Sequence, residues 1–347
     1  MNSVFDRPDT VRAHGGPDAL GVPLYDFSTN SNACGPCPAA LVAVRQADAT
    51  RYPDPRYTAL RERLAAFHAV AATRIVLAAS ASEFIFRMTA AVARRGAVGV
   101  ALPAHGYGDY AQAAWAWGLR AVPEPRPTAG ASLIWCCDPS SPLGQSDAAL
   151  GARIAALAPD ANCVVDLAYA PLRLEGAPAW GPAHRDRVWQ LWTPNKALGL
   201  TGVRAAYAIA PADAGPLAQA MDALAPSWPL GAHGVAMLQS WTEPATQRWL
   251  AVSLATLRDW KTRQIALCEE WGWRCEPGVA NFFCARPPVA DVASLCAALR
   301  AEGLKLRDTA SFGLPGHVRL AALAPAAQAA LQVAVQEMRQ AFSPRVP

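Results

Sequence analysis

Short apolar runs alternate with segments of helical periodicity through most of the first 210 residues. The apolar runs predict strands at residues 74–78, 98–102, 132–137, 163–167, 188–192 and 205–209. The periodic segments predict helices at residues 57–70, 82–95, 109–117 and 147–157. Continuous apolar runs are typical of strands that are covered on both faces. The alternation therefore predicts an α/β fold with a mainly parallel central sheet.

The pattern changes after a Pro- and Ala-rich transition at residues 211–229. A long helical stretch follows at about residues 233–271, and shorter mixed elements follow it. A chain of 347 residues can bury more than one core, so we expect two unequal domains. The predicted units are an N-terminal arm at residues 1–35, a large domain at 36–230, and a unit at 231–347 that combines the connecting helix with a small α+β domain.

Composition and charge exclude several classes of protein. Hydrophobic residues make up 52% of the chain, but Pro, Gly or charged residues interrupt every run before the roughly 20 apolar residues that a membrane span needs. The formal net charge of +4 is scattered, so we expect no nucleic-acid partner. The opening residues MNSVFDRPDT lack the basic and apolar regions of an export signal, so we expect a cytoplasmic protein.

The cysteines predict free thiols rather than a disulfide framework. There are nine, an odd number, and Cys136, Cys137 and Cys163 lie in apolar, strand-like runs. Cys34 and Cys37 have the C-x-x-C spacing of redox and zinc sites, but no second Cys or His pair lies nearby. We therefore expect ordinary loop cysteines and no metal site.

The strongest candidate for chemistry is Lys196, in the segment LWTPNKALGLTGVR that ends at Arg204. A lysine that attacks a carbonyl needs a desolvated setting beside another cation. Asp166 and Tyr169 lie upstream in CVVDLAYAPL, at the end of the preceding predicted strand. Other distinctive segments are HGG at residues 14–16, DFSTNSNACGP at 26–36, RYPDPRYTALRERLAAFH at 51–68 and DPSSPLG at 138–144.

The order of these segments resembles the fold-type I pyridoxal phosphate (PLP) enzymes of the class I and II aminotransferase superfamily. The opening segments resemble in particular the L-threonine O-3-phosphate decarboxylases of cobalamin biosynthesis, whose close relatives are the histidinol-phosphate aminotransferases. The resemblance extends from about His14 to Arg319. It implies a PLP cofactor bound by the large domain, a homodimer, and an N-terminal arm that packs with the small C-terminal domain.

The resemblance also implies the catalytic residues. Lys196 would form the imine with PLP, Asp166 would pair with the pyridine nitrogen, and Tyr169 would donate to the 3-hydroxyl of the ring. Without the resemblance, an aspartate after a strand is usually a turn or cap residue. A tyrosine at position 169 would be an ordinary core residue.

The cofactor phosphate is expected at the start of a helix. Ala81 and Ser82 begin the helix that follows the strand at residues 74–78, where backbone N–H groups and the helix dipole favour an anion. The resemblance adds Thr193 and Arg204 as phosphate ligands. Many relatives have glycines in this turn where the chain reads AASASE, so the alternative for Ser82 is a plain helix N-cap.

Aromatic residues from both subunits of the dimer are expected to contact the cofactor. Tyr110 is predicted to stack on the cofactor ring, because GDYAQ resembles the corresponding stretch of the family. Tyr107 and His105 are the alternatives. Tyr52, in YPDP, matches a tyrosine that in relatives reaches across the dimer interface to the partner's cofactor phosphate.

Two arginines are expected to bind the substrate, because an arginine fork holds carboxylate and phosphate groups in bidentate fashion. The resemblance assigns the α-carboxylate to Arg319 and a substrate phosphate to Arg307. The N-terminal arm would cover the substrate with His14, Gly15, Gly16, Asn30 and Asn32.

The chain departs from the family pattern at two positions beside the cofactor. Ser141 stands where relatives have an asparagine that bonds the 3-hydroxyl of PLP, and its shorter side chain is expected to contact the cofactor there through a water molecule. Asn195 replaces a small hydroxyl residue just before the lysine. Both departures affect the expected electronics of the ring rather than its attachment.

The expected function is PLP-dependent decarboxylation of L-threonine O-3-phosphate. One alternative is an aminotransferase that acts on histidinol phosphate or a similar phosphorylated amine. Another is a ligand-binding relative without catalytic activity, which the altered DPSSPLG segment would favour. The choice between the reactions depends on how the substrate carboxylate is held, and the sequence does not show that orientation.

Overall fold

The computed structural model describes residues 14–123 and 132–342, so the predicted arm residues 1–13 lie outside the described part. The strands are β1 (Tyr25–Asp26), β2 (Ile75–Ala78), β3 (Gly99–Leu102), β4 (Arg120–Pro123), β5 (Leu133–Cys137), β6 (Asn162–Asp166), β7 (Trp189–Trp192), β8 (Ala206–Ile209), β9 (Arg274–Cys275), β10 (Phe282–Arg286), β11 (Leu304–Lys305), β12 (Arg307–Asp308) and β13 (Val318–Ala321). The α-helices are α1 (Pro38–Arg45), α2 (Thr58–His68), α3 (Ala81–Ala93), α4 (Gly108–Ala116), α5 (Leu150–Ala155), α6 (Pro182–Arg185), α7 (Gly215–Ala223), α8 (Ala232–Trp241), α9 (Pro244–Glu270), α10 (Val292–Ala301) and α11 (Pro325–Phe342).

A seven-stranded sheet with the order β2-β8-β7-β6-β5-β3-β4 forms the centre of the large domain. Neighbouring strands are parallel except for β8, which runs antiparallel to both β2 and β7. The predicted α/β fold with a mainly parallel sheet is therefore confirmed. The edge strand β4 was not predicted, because its short sequence RAVP continues into a Pro-rich segment that is typical of a loop.

Burial on both faces of this sheet explains the continuous apolar runs. In β2, Ile75 and Leu77 belong to a core cluster with residues of α2 and α8, whereas Val76 and Ala78 belong to a second cluster with residues of α3 and α4. Successive side chains of a strand point to opposite faces. A strand with helices on both sides therefore has no position that favours a polar side chain.

The long helical stretch predicted at about residues 233–271 consists of two helices, α8 and α9. Glu243 between them has extended backbone angles, φ −74° and ψ 137°, and Pro244 is the first residue of α9. Proline disfavours helical backbone in the residue before it, which ends α8 and lets a new helix begin. Leu257 of α9 packs in the core of the large domain and Cys268 in that of the small one. Within the described residues, none of the helices combines the length and apolarity needed to cross a membrane.

The small domain contains an antiparallel sheet with the order β12-β13-β10-β9. The arm lies against this domain, because β1 pairs in parallel with β11. Asp18 of the arm also forms ion pairs with Arg300 and Lys305, at 2.8 and 2.9 Å. These two cations hold the pKa of the Asp18 carboxyl well below its usual range. The exact domain boundaries at residues 36 and 231 stay a prediction.

Candidate active site

A cavity of about 1030 Å³ lies at the carboxyl ends of the central strands. Parallel strands present these ends at one edge of a sheet, which is where ligands of open α/β sheets bind. The predicted residues that line the cavity are His14, Gly15, Asn30, Ala81, Ser82, Tyr110, Ser141, Asp166, Tyr169, Thr193, Lys196, Arg204, Arg307 and Arg319. The predicted residues that lie outside its lining are Gly16, Asn32 and Tyr52.

Asp166 is the buried acid of the cavity, at the last position of β6. Its Oδ2 accepts a hydrogen bond from the Tyr110 hydroxyl at 2.6 Å, and its Oδ1 accepts one from the Ala168 N–H at 2.9 Å. Burial raises the pKa of this carboxyl, whereas both donors and the nearby Lys196 cation oppose the rise. A carboxylate in this setting is suited to a cationic partner from the cavity, such as a protonated ring nitrogen.

Lys196 is the lysine that faces the cavity. Its Nζ lies 5.3 Å from the centroid of the Tyr169 ring. The other lysines of the chain are Lys261 and Lys305, and both have partners elsewhere. Lys261 donates to the carbonyl of Gly278, and Lys305 donates to the carbonyl of Gly16 and pairs with Asp18.

The backbone around Lys196 is held by neighbouring loops. Its N–H donates to Asn195 Oδ1 at 3.0 Å, and its carbonyl accepts from the N–H of Asn32 at 2.9 Å. Asn195 thus supports the lysine backbone, a role that the sequence pattern did not suggest. The fixed backbone limits the movement of the lysine to its side chain.

The start of α3 and the loop after β7 fit a phosphate group. Ser80 is the N-cap of α3, and its Oγ accepts from the N–H of Glu83. Ser82 is therefore not the N-cap, and its hydroxyl lies 3.1 Å from the Tyr107 hydroxyl. Thr193 Oγ1 is buried and has no hydrogen-bond partner among the described residues. The unpaired Thr193 hydroxyl and the start of α3 line the same cavity, and both are groups that a bound phosphate can satisfy.

Tyr107 and Tyr110 both line the cavity, but the Tyr110 ring is packed in the core of the large domain. The Tyr110 ring is 2% exposed and stacks on Trp135, with centroids 4.8 Å apart and planes 13° apart, and its hydroxyl is bonded to Asp166. The predicted stacking role of Tyr110 does not agree with this packing. Tyr107 precedes α4, lines the cavity and contacts Ser82. The sequence pattern did not separate them, because their roles depend on where α4 begins.

Asn30, rather than Asn32, contributes its side chain to the cavity. Both polar atoms of the Asn30 amide are buried without a hydrogen-bond partner in the described part of the chain, and the residue lines the cavity. The Asn32 amide instead donates to the Ala197 carbonyl at 3.1 Å and to the Ser253 hydroxyl at 2.7 Å. The donors of Asn32 thus join the arm to the loop after Lys196 and to α9, and its predicted contact with the substrate stays a prediction.

Gly15 brings the arm close to the cavity in a way that other residues cannot. A Cβ atom at this position would lie 2.3 Å from the carbonyl oxygen of Ser28. Gly16 has φ +91°, and its N–H donates to the Ser28 hydroxyl at 2.9 Å. Gly16 thus fixes the turn, while His14 and Gly15 line the cavity.

Arg307 and Arg319 lie on adjacent strands of the small domain and face the same cavity. Phe312 lies beside both guanidinium groups. The centroid of its ring is 4.8 Å from Cζ of Arg307 and 5.4 Å from Cζ of Arg319. Burial, together with the neighbouring Arg319, lowers the pKa of Arg307 to about 10. Phe312 belongs to no recognisable sequence motif, so its position beside the two arginines became visible only in the structure.

The altered DPSSPLG segment has its own hydrogen bonds. Asp138 is 1% exposed and accepts from Arg173 at 2.9 Å and from the indole N–H of Trp180 at 3.1 Å. An aspartate at position 138 is therefore explained by its ion pair with Arg173. Ser141 accepts from Arg319 at 3.2 Å, so it orients the arginine. Its predicted contact with the cofactor stays a prediction.

The fold and the cavity agree with the comparison with known proteins. The chain belongs to the class I and II aminotransferases, because the model of the family "Aminotransferase class I and II" matches residues 22–338. The histidinol-phosphate aminotransferase 1 of Bradyrhizobium diazoefficiens is 30% identical over 306 residues, which cover 82% of this chain and 84% of that protein. The histidinol-phosphate aminotransferase of Symbiobacterium thermophilum is 29% identical over 321 residues, which cover 86% and 85%.

Solved structures show the same fold. The histidinol-phosphate aminotransferase from Sinorhizobium meliloti, in complex with pyridoxal-5'-phosphate, superposes with a TM-score of 0.80 at 21% identity and covers 99% of this chain and 98% of its own. The L-threonine-O-3-phosphate decarboxylase from Porphyromonas gingivalis superposes with a TM-score of 0.70 at 18% identity, covering 86% and 92%. The chain is accordingly a PLP-dependent enzyme of fold type I.

The two asparagines of the arm should respond differently to truncation. Asn30→Ala removes no hydrogen bond, so the free energy of unfolding should change by about 1 kcal/mol or less while kcat/KM falls. Asn32→Ala leaves the Ala197 carbonyl and the Ser253 hydroxyl without their donor and should cost about 1–3 kcal/mol. Urea unfolding and steady-state kinetics on both variants measure the difference. Equal losses of stability, with unchanged activity for Asn30→Ala, would contradict the assignment.

Proposed function

We propose that the protein is an aminotransferase that acts on histidinol phosphate or a similar small phosphorylated amine. The observation that supports a phosphorylated substrate is the pair of buried arginines, Arg307 and Arg319, in the wall of the cofactor cavity. Arg307 donates to the Asp308 carbonyl and to the Ser311 hydroxyl, and an anionic group of the substrate would add a charged partner beside the two guanidinium groups. The relatives named histidinol-phosphate aminotransferases support amino-group transfer over the decarboxylation that the sequence favoured first.

In this proposal, one end of the cavity binds the cofactor and the other end binds the substrate. When bound, PLP supplies an electron sink for the bonds at the amino-bearing carbon of the substrate. Asp166 would pair with the ring nitrogen of PLP, and Tyr107 would cover one face of the ring. The start of α3, together with Thr193 and Arg204, would bind the phosphate of PLP. Lys196 Nζ would carry the proton to and from the substrate carbon.

The substrate would lie between the cofactor and the small domain. Arg307 would hold the substrate phosphate, and Arg319 the carboxylate of the amino-acid or keto-acid partner. Arg319 is already oriented, because it donates to the Ser141 hydroxyl and to the Ser28 carbonyl. His14 and Asn30 of the arm would cover the substrate and exclude water.

A second candidate function is decarboxylation of L-threonine O-3-phosphate. It is favoured by the arm, since His14 and Gly15 line the cavity beside Asn30, in the segments that resemble the decarboxylases. This substrate carries a phosphate and a carboxylate on one short skeleton, so it would engage both arginines at once. Which bond reacts then depends on the orientation in which Arg319 holds the carboxylate.

Product analysis distinguishes the two reactions. Purified protein with PLP is incubated with histidinol phosphate and a range of keto acids, and separately with L-threonine O-3-phosphate. The proposal predicts formation of the keto product and an amino acid, with little release of CO₂. Faster release of CO₂ from phosphothreonine than any amino-group transfer would replace the proposal with the second candidate.

Arg307→Ala should selectively impair phosphorylated substrates. Loss of a charge-assisted contact typically costs about 1.5–3 kcal/mol, or roughly ten- to a hundredfold in kcat/KM. The unphosphorylated counterpart of the substrate should lose much less, because it makes no such contact. Arg286→Ala is the matched control, since Arg286 is exposed on β10 and outside the cavity. Equal losses for both substrates would show that Arg307 does not bind the phosphate.

The homodimer belongs to the same proposal. Tyr52 is 78% exposed, lies outside the cavity of its own chain and stacks on Trp228 with centroids 4.4 Å apart. Two exposed, stacked aromatic rings form a surface suited to burial against a second copy. Each partner's Tyr52 would then reach the cofactor phosphate of the other subunit.

Light scattering should give the mass of two chains, with composite active sites. Mixing Lys196→Ala protein with Tyr52→Phe protein should restore activity above that of either alone, because one site of each mixed dimer has both residues. The separate variants are the controls. A monomer with full activity would exclude the shared site.

A further inference from the structure

Tyr110 and Asp166 form a buried pair behind the cavity. The Tyr110 hydroxyl donates to Asp166 Oδ2 at 2.6 Å, and the other carboxylate oxygen accepts from the Ala168 N–H. The Tyr110 ring is fixed by its stack on Trp135, 4.8 Å between centroids, and by the core beneath α4. Both oxygens of the carboxylate are therefore tied to rigid elements, and the carboxylate plane has one orientation.

We propose that Tyr110 is a positioning residue: its hydroxyl holds the Asp166 carboxylate in the orientation in which it pairs with the ring nitrogen of PLP. The inference rests on PLP as the cofactor but on neither of the two candidate reactions. Tyr110 acts through Asp166 and does not stack on the cofactor.

Tyr110 is suited to this role because it remains a donor. Burial and the adjacent Asp166 raise the pKa of the Tyr110 hydroxyl well above its ordinary value, so the proton stays on the phenol. Its donation opposes the rise in the pKa of Asp166 that burial causes. The other titratable groups around the carboxylate are Cys137 at the end of β5 and Lys196 after β7. Burial and the two neighbouring aspartates keep Cys137 a neutral thiol, since its pKa is also raised.

A pair of cofactors tests the role directly. PLP and its 1-deaza analogue differ only in the ring nitrogen, which the analogue replaces with C–H. Tyr110→Phe keeps the ring packed on Trp135 and removes only the hydroxyl. The variant should bind PLP about tenfold more weakly than the wild type, and should bind the analogue with affinity unchanged within about twofold. Titration of the cofactor-free protein, followed by absorbance, gives the dissociation constants.

Two controls separate positioning from packing. Tyr207→Phe removes another buried hydroxyl, which bonds His68 at 2.7 Å and Trp241 at 3.1 Å outside the cavity, and should change neither affinity. In an Asp166→Asn background, adding Tyr110→Phe should have no further effect on PLP, because the ionic partner is already lost. Equal weakening of both cofactors by Tyr110→Phe would assign Tyr110 a packing role only. Unchanged PLP affinity, or a full further loss in the Asp166→Asn background, would also overturn the proposal.

Discussion

The burial of one carboxylate, Asp166, is the constraint on which the rest of the site depends. A buried carboxylate without a cation is costly, and removing one member of a buried pair is strongly destabilising. The hydroxyl and N–H that bond Asp166 are neutral, so they reduce this cost without cancelling the charge. Lys196 is a nearby cation, and the protonated ring nitrogen of bound PLP would add a second positive charge beside the carboxylate. Bound PLP would then be part of the electrostatic balance of the large domain.

The same constraint accounts for the arrangement of the neighbouring tyrosines. One donor to Asp166 comes from α4, where Tyr110 is buried in the core and carries the hydroxyl that reaches the carboxylate. Tyr107 precedes α4 and remains at the cavity, where it reaches Ser82. Tyr110 thus bonds Asp166 from the core, while Tyr107 lies at the cavity. Arg307 and Arg319 add positive charge to the cavity lining, which favours anionic groups there.

The sequence predicted the fold well because burial on both faces leaves a strong signal. In β2, every residue is buried, so the strand could be found without knowing its partners. The break before α9 was missed, because helical periodicity continues across Pro244 and only the backbone of Glu243 shows the interruption. The edge strand β4 was missed because an edge strand needs little apolar sequence.

The site could be predicted to the level of segments, but less well to the level of side chains. Lys196, Asp166 and Arg319 lie in the cavity as the motifs indicated. Asn30 and Asn32 were both predicted to cover the substrate, but the Asn32 amide bonds the Ala197 carbonyl and Ser253 of α9, and such long-range contacts are invisible in a single sequence. Phe312 is similar, since its role depends on two arginines that reach it from adjacent strands.

Borohydride reduction followed by peptide mapping determines whether Lys196 carries PLP. The chain has three lysines, Lys196, Lys261 and Lys305. Lys261 donates to the carbonyl of Gly278, and Lys305 donates to the carbonyl of Gly16 and pairs with Asp18. We expect that reduction of the PLP-loaded protein abolishes its visible absorbance and places the adduct on the peptide that contains Lys196. An adduct on either other lysine, or none after incubation with PLP, would contradict it.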